Sequence, residues 1–260
     1  MTDLPTAAHP TLEVKEVDLL RPIQWVALAW QDMERAPRPG FMLGALMAGV
    51  GAALFWMARN DFWWIAGMLS ACMIFAPVLV TGLYDISRRL ERGERTGFRD
   101  SLRIWRTGDK RLIHFGLLLA LSSAGWLLCS AALIHALLPK SVYSPADFLK
   151  YVVLQPEIGL FEIWLLMSAL IAALMFASTL VTIPLLLDHP SLTVWQAVNT
   201  SWRVVALNPL ACTFWACLLF LFTSLGIGSA FLGLLPVVPM LAHASWHAYR
   251  DLVTYDPAVH

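Results

Sequence analysis

Six long apolar runs, each about as long as a helix that crosses a lipid bilayer, take up most of this sequence. About 20 apolar residues in a helix span the ~30 Å hydrocarbon core. The chain is 58% hydrophobic and 14% charged, whereas soluble domains are about 45–50% apolar and about 25% charged. The sequence therefore predicts an all-α, polytopic transmembrane bundle of six spans. The predicted spans are Gly40–Ala58, Phe62–Tyr84, Leu112–Leu138, Ile158–Leu187, Leu207–Leu225 and Gly228–Tyr249.

Basic residues lie mostly on one side of this topology. Fifteen of the 18 Lys and Arg residues fall on the side that holds both termini and the loop between spans two and three. Because Lys and Arg are enriched in cytoplasmic loops, we expect a bacterial inner-membrane protein with both termini in the cytoplasm. Residues 1–18 are polar and lack the apolar core of a signal peptide. They predict a mobile cytoplasmic tail, followed by a single domain over residues 19–260.

Three segments that precede a span share one pattern, in which a bulky apolar residue lies seven positions before a tryptophan. The pairs are Ile23 and Trp30, Phe98 and Trp105, and Trp195 and Trp202. A spacing of seven is two helical turns, so both side chains of a pair share one face. The pattern predicts three interfacial amphipathic helices in the membrane plane, with Trp30, Trp105 and Trp202 as anchors that face the bilayer.

An internal repeat accompanies these helices. The segment FAPVLVTGLYD at residues 75–85 matches FASTLVTIPLLLD at residues 176–188 at several aligned positions. The predicted unit is an in-plane helix followed by a transmembrane hairpin, used three times. The third hairpin matches the other two loosely.

The chain resembles a proteobacterial family of six-span integral membrane proteins of unknown function. The resemblance is carried by Ala29, Trp30 and Pro37 of the first segment and by the FAP motif at residues 75–77. It implies a membrane protein, but it brings no active site to transfer. Some members of the family carry a cytochrome c oxidase subunit-like label. That label finds no support here, because a haem–copper subunit needs more spans and more intramembrane histidines than this chain offers, with 7 His in all.

The centres of the predicted spans carry no charged residue and no histidine. A carrier coupled to protons or ions usually needs such groups at membrane depth, so this kind of transport is disfavoured. The nearest polar residues are Ser122, Ser123 and Ser168. Pro236 and Pro239 in span six either kink the helix or break it to line a cavity.

A candidate polar rim cluster lies at the cytoplasmic ends of the spans. His243 and His247 are four residues apart, and hence on one face of a helix. The other members lie at equivalent span ends: Asp85, His114, Asp188 and His189. His and carboxylate groups together suit a divalent metal, but polar residues at span ends are also satisfied by headgroups and water. We expect no catalytic residues, no metal and no cofactor.

Uncharged span centres and in-plane tryptophan helices favour a non-enzymatic accessory or assembly subunit. Its partners would be membrane lipids and other integral membrane proteins, with a respiratory-type complex among the candidates. The alternative is a carrier or binding protein for a lipid or other amphiphile, which would need no buried charge. A net charge of +0 and a pI of about 7.0 imply no nucleic-acid partner.

Overall fold

The computed structural model describes residues 11–94, 96–97, 108–154 and 159–256. Its elements are β1 (Thr11–Val14), α1 (Arg21–Arg35), α2 (Pro37–Ala58), α3 (Phe62–Leu79), α4 (Thr81–Glu91), α5 (Lys110–Leu137), α6 (Pro145–Phe148), a π-helical turn (Leu149–Val153), α7 (Leu160–Thr179), α8 (Thr182–Asp188), α9 (Val194–Leu207), α10 (Pro209–Gly228), α11 (Leu234–Leu252) and β2 (Val253–Asp256). Apart from the two short strands, the regular elements of the described chain are all helices, and the predicted all-α class is confirmed.

Four helical segments of the described chain are long and apolar enough to cross a membrane. They are α2, α5, α10 and the continuous stretch Leu160–Asp188 formed by α7 and α8. The second predicted span is divided between α3 and α4, and α3 contributes a shorter apolar stretch. The sixth is α11, which carries His243, His247 and Arg250 and is largely buried. Several apolar transmembrane helices are therefore present, whereas the second and sixth predicted spans differ in character from the other four.

Two of the long helical stretches break at matching positions. The break between α3 and α4 lies at Val80, and the break between α7 and α8 lies at Leu180 and Val181. Each second helix then begins at a threonine, Thr81 or Thr182. These are aligned positions of the two similar sequence segments. In the second break Pro184 has no backbone N–H to donate to the carbonyl of Leu180, which weakens the helix at this point.

Helix α11 forms the centre of the fold and packs against α1, α2 and α4. Small residues allow this: a Cβ added at Gly44 of α2 would lie 2.3 Å from the carbonyl oxygen of Leu235. A Cβ added at Gly40 would lie 2.7 Å from Cβ of Pro239. Pro239 is buried within α11, and α2 occupies the space beside it. Thus the backbones of α2 and α11 approach more closely than larger side chains would permit.

The segment before α1 belongs to the folded domain, which corrects part of the predicted mobile tail. Strand β1 pairs antiparallel with β2 at the other end of the chain, with Val14 opposite Val253. The Val17 N–H donates to Asn208 Oδ1 at 2.8 Å, and Asn208 Nδ2 donates to the Lys15 carbonyl at 2.9 Å. Such pairing across more than 190 positions leaves no periodic signal in a short polar segment. Residues 1–10 lie outside the described structure.

Helices α1 and α9 are the first and third predicted amphipathic helices. The buried face of α1 carries Trp25, Ala29 and Met33, whereas Ile23 and Trp30 are exposed. The seven-residue spacing therefore identifies a shared face, and that face points away from the protein. The second predicted helix, with Trp105, falls on residues 98–107, which are not among those described.

Candidate functional site

Two histidines of α11 lie one helical turn apart in the interior, between α1 and α4. His243 is fully buried and His247 nearly so. Small neighbours on the same helix, Ala244 and Ala248, are also fully buried. Because they occupy little volume, α1 and α4 can approach the two imidazole rings.

Asp32 of α1 and Ser87 of α4 complete a hydrogen-bonded chain with these histidines, which we call the polar network. Ser87 Oγ donates to Asp32 Oδ2 at 2.7 Å, and His247 Nε2 lies 2.9 Å from the same oxygen. His243 Nδ1 lies 2.6 Å from Ser87 Oγ. These contacts tie three helices together through four side chains.

The single hydroxyl hydrogen of Ser87 decides the tautomer of His243. Since that hydrogen is donated to Asp32, the contact between Ser87 Oγ and His243 Nδ1 needs a hydrogen on Nδ1. A neutral His243 then has a bare Nε2, which accepts and does not donate. This Nε2 is buried and has no hydrogen-bond partner within the described chain. The arrangement leaves one acceptor of the network unsatisfied.

The charge of Asp32 depends on the groups around it. Burial alone would raise the pKa of this carboxyl group, but hydrogen bonds from His247 and Ser87, together with the nearby positive charge of histidine, hold the pKa below its usual value. Asp32 is therefore a carboxylate at neutral pH. A buried carboxylate of this kind requires its donors to stay in place.

Glu91 at the end of α4 extends the polar network towards the surface. Its Oε1 accepts from Trp246 Nε1 at 3.0 Å and lies 4.0 Å from His247 Nδ1. Its Oε2 lies 3.3 Å from Arg250 Nε. Glu91 is partly exposed, so the network runs from the buried His243 to a group in contact with solvent.

A second cluster surrounds Asp188 at the end of α8. Tyr249 donates its hydroxyl to Asp188 Oδ2 at 3.0 Å, and Arg250 Nη1 lies 3.7 Å from the same oxygen. Arg88 Nη1 lies 4.0 Å from Asp188 and donates to the Leu187 carbonyl at 2.9 Å. Arg88 also pairs with Asp85. Arg250, which contacts both Glu91 and Asp188, joins this cluster to the polar network.

The predicted rim residues thus fall into two groups, with one residue, His114, outside both. His243 and His247 belong to the polar network, and Asp85 and Asp188 belong to the arginine-paired cluster. His189 Nε2 lies 3.7 Å from Asp188. Burial lowers the pKa of His189, and the charge of Asp188 opposes that effect. His114 is exposed on α5 and takes part in neither group.

Asp32, Ser87 and Glu91 are members that the sequence analysis does not identify. Asp32 has a detectable signal, because it shares a helical face with Trp25, Ala29 and Met33, where a carboxylate stands out against apolar residues. Ser87 and Glu91 have no comparable signal within the charged segment that follows span two.

The polar network differs from a nucleophilic triad in its order. In a catalytic triad the histidine lies between the serine and the carboxylate. Here Ser87 lies between Asp32 and His243 and is fully buried. Within the described chain, no group of three His, Cys, Asp or Glu residues is arranged to hold a metal ion. The geometry is suited to holding α1, α4 and α11 together.

Two of the predicted tryptophan anchors, Trp30 and Trp202, lie within the described chain, and their side chains are 52% and 46% exposed. Trp30 Nε1 donates to Glu34 Oε1 at 2.8 Å within its own helix. Trp202 Nε1 donates to Ser178 Oγ at 2.9 Å, which joins α9 to α7. Their rings lie on outward faces, where lipid or another protein would cover them.

Comparison with known proteins gives one match. Residues 64–188 match the model of a family described as a predicted integral membrane protein (DUF2189). No curated protein and no solved structure matches the chain. The matched part contains Ser87 and Asp188 but neither Asp32 nor the histidines of α11. The match and the long apolar helices agree that this is an integral membrane protein.

Proposed function

We propose that this protein is a non-enzymatic accessory or assembly subunit of the bacterial inner membrane, and that α2 binds a transmembrane helix of another integral membrane protein. The observation that carries the proposal is a row of small residues on the outer face of α2. Ala45, Gly49 and Ala53 are spaced four apart and all are exposed. A Cβ added at Gly49 would meet no other atom within 4 Å.

Small residues at this spacing let two transmembrane helices approach closely, so that packing contacts and weak hydrogen bonds form along the interface. Small residues also lie on the opposite face of α2, where Gly44 and Ala48 are buried against α11 inside the protein. The inner row of small residues is covered by α11, whereas the outer row is exposed. Of the four candidate spans, α2 also has the smallest buried share, 11% of its apolar window.

The distribution of polar groups supports a structural role. Several charged side chains of α1, α4 and α11 bind polar groups of neighbouring helices in the polar network and the Asp188 cluster, among them Asp32, Glu91 and Arg250. The outward surfaces of α2, α5 and α10 are apolar. A protein of this kind presents lipid-facing and partner-facing surfaces, while its ionisable groups hold its own helices in place.

The proposed topology has six spans, with α3–α4 and α11 crossing the membrane beside the four longer segments. Pairing of β1 with β2 supports an even number of crossings, because both ends of the domain must then lie on the same side. The other end of the bundle carries Arg59, Lys140 and Lys150, each of which lies over an aromatic ring. The larger basic excess near the termini favours a cytoplasmic location for them.

The matching breaks at Val80 and Val181 support the internal repeat. In the proposed repeat, α1 and α9 are equivalent in-plane helices, and the second copy of the sequence pattern, with Trp105, lies outside the described residues. Each precedes a hairpin whose second helix ends in the polar groups of the site. The outward positions of Trp30 and Trp202 agree with this scheme.

The test is co-purification from native membranes in mild detergent, followed by mass spectrometry. We expect a stoichiometric membrane-protein partner with the wild type and its loss from Gly49→Leu, because the added side chain blocks close approach. Gly125→Leu is the matched control. Gly125 also has open space around it, but its neighbours Leu121 and Leu128 are large and exposed.

Recovery of wild-type protein without any stoichiometric partner would contradict the subunit role. Equal partner recovery with Gly49→Leu and Gly125→Leu would contradict the α2 interface. The identity of the recovered proteins would show whether the partner is a respiratory-type complex.

A further inference from the structure

A cavity of about 170 Å³ lies between α5 and α7. Ile171, Ala172 and Met175 form its apolar wall, and the remaining lining residues are Trp126 and three serines, Ser122, Ser123 and Ser168. An apolar cavity of about 150 Å³ is large enough for a benzene-sized molecule. The space therefore accommodates a single ring or a compact branched group.

The depth of the cavity restricts the occupant to uncharged molecules. Ser123 is close to the midpoint of α5, which runs from Lys110 to Leu137. At 1.5 Å per residue it lies about 20 Å from either helix end. Phospholipid headgroups do not reach this depth, and a charged group would be costly there.

Two hydroxyl groups beside the cavity have unused hydrogen-bonding capacity. Ser123 is 5% exposed, and its Oγ has no hydrogen-bond partner in the described chain. Ser168 Oγ accepts from Trp126 Nε1 at 3.0 Å, so its own hydrogen remains for a further acceptor. Ser122 differs, because its hydroxyl donates to the Leu118 carbonyl at 2.9 Å.

A buried hydroxyl without a partner is destabilising, and a serine within a helix normally bonds the carbonyl one turn earlier, as Ser122 does. Ser123 is among the lining residues, and in the proposed bound state its hydroxyl rotates about the Cα–Cβ bond towards the occupant. An acceptor atom of the occupant would then accept hydrogen bonds from the hydroxyls of both Ser123 and Ser168.

We propose that the cavity between α5 and α7 binds a neutral, membrane-dissolved molecule that has a ring-sized body and a carbonyl-type acceptor. The apolar wall takes the ring, and the hydroxyls of Ser123 and Ser168 donate to the acceptor. This binding site is separate from the outer face of α2 and does not depend on the proposed subunit role.

The test compares two probes of nearly equal shape, 4-bromoacetophenone and 1-bromo-4-ethylbenzene, with the full-length protein in lipid nanodiscs. Binding is followed by quenching of tryptophan fluorescence, since ring bromine quenches an indole in contact with it and Trp126 borders the cavity. Ala172→Phe fills the cavity and defines quenching from probe dissolved in the lipid. The double variant Ser123→Ala/Ser168→Ala removes both donors. Ser130→Ala is the matched control, because Ser130 is a buried serine of the same helix that also has no hydrogen-bond partner in the described chain and does not line the cavity.

We expect saturable quenching by the ketone that is absent from Ala172→Phe. The ketone should bind roughly tenfold more tightly than the hydrocarbon, the ratio expected for hydrogen bonds made in an apolar site. The double serine variant should bind both probes equally, and Ser130→Ala should behave as the wild type.

Equal affinity of the wild type for both probes would overturn the proposal, because the hydroxyls would then recognise nothing. Quenching that does not saturate would overturn it as well, and would show that the cavity holds lipid chains alone. If Ala172→Phe fails to fold, the ratio between the two probes in the serine variants decides the question by itself.

Discussion

Asp32 is the buried carboxylate of the polar network, where it contacts Ser87, His243 and His247. It lies on an amphipathic helix, and its donors come from α4 and α11. At the other end of the α1–α11 contact, Asp251 accepts from Arg21 Nε at 2.5 Å and from Trp25 Nε1 at 2.9 Å. Two carboxylates, one on each helix, thus fix the position of α1 against α11.

Replacing Asp32 by alanine should destabilise the protein strongly. The change leaves His247 and Ser87 buried without their acceptor, and breaking a buried charged pair from one side costs roughly 3–5 kcal/mol. Gln31→Ala is the control, since Gln31 is exposed on the same helix. Thermal unfolding in detergent would measure both. Equal melting temperatures for the two variants would mean that the network contributes little.

The acid stability of the protein should depend on Asp32. Its pKa is lower in the folded state than in the unfolded chain. Its contribution is therefore fully present above the unfolded value, near pH 4, and is lost as the pH falls through the folded value. The difference in melting temperature between the wild type and Asp32→Asn should be constant from about pH 5 to pH 7 and shrink below about pH 4. A difference that grows on acidification would contradict this sign.

At the scale of elements, α2 has glycines on two faces, and only a glycine on the inner face contributes to the close contact with α11. Gly44 and Gly49 are both glycines of α2, but Gly44 faces α11 and Gly49 faces outwards. The two positions are therefore a matched pair for measuring how tightly α2 and α11 pack.

Gly44→Ala should destabilise the protein, because the new methyl group would overlap the Leu235 carbonyl and push α11 away. We expect a loss of about 1–3 kcal/mol. Gly49→Ala meets no neighbour and should be neutral or slightly stabilising, since alanine favours a helix by about 1 kcal/mol over glycine. Chemical denaturation in mixed micelles would compare the two variants, and the reverse order would refute the close approach.

Helix α9 should lose part of its attachment when Trp202 is replaced by alanine. The change removes the hydrogen bond to Ser178, worth about 0.5–1.5 kcal/mol, and part of the ring contact. Trp195→Ala is the control, because Trp195 is on the same exposed face at 68% exposure. Melting temperatures should fall for Trp202→Ala alone, while membrane insertion stays unchanged in both. A larger effect of Trp195→Ala would contradict the prediction, because Trp195 and not Trp202 would then attach the helix.

The sequence predicts where helices lie better than which of their faces are buried. Periodicity in α1 identifies the pair Ile23 and Trp30, but two faces of this helix are apolar, and Trp25 and Ala29 occupy the one that packs inwards. In a membrane protein both lipid and protein are apolar surroundings, so hydrophobicity alone does not distinguish them. The convergence of His243 and His247 with Asp188 could be expected from span ends, whereas Asp32 required knowledge of the inner face of α1.

At the scale of the whole molecule, the two ends of the bundle are chemically different. One end holds the polar network, the Asp188 cluster and the paired strands. The other holds aromatic residues, among which Phe62 and Phe148 stack at 4.5 Å between ring centroids. The difference agrees with the proposed orientation, in which the end that holds the polar network faces the cytoplasm.

Cysteine labelling should place Glu94 and Tyr143 on opposite sides of the membrane. Both side chains are exposed, so single cysteines there can react with a membrane-impermeant maleimide once the four native cysteines are replaced. We expect position 143 to be labelled in intact spheroplasts and position 94 after the membrane is permeabilised. Labelling of both positions from one side would contradict the span count.

The pairing of β1 with β2 also has a consequence for the order of events during synthesis. Residues 11–14 leave the ribosome long before their partners at residues 253–256 are made, because more than 230 residues separate the two strands. Strand β1 cannot pair with β2 until the helices between the two strands have been released into the membrane. The first segment therefore stays unpaired while the helices between the two strands are made, and the sheet closes only after α11 has been synthesised.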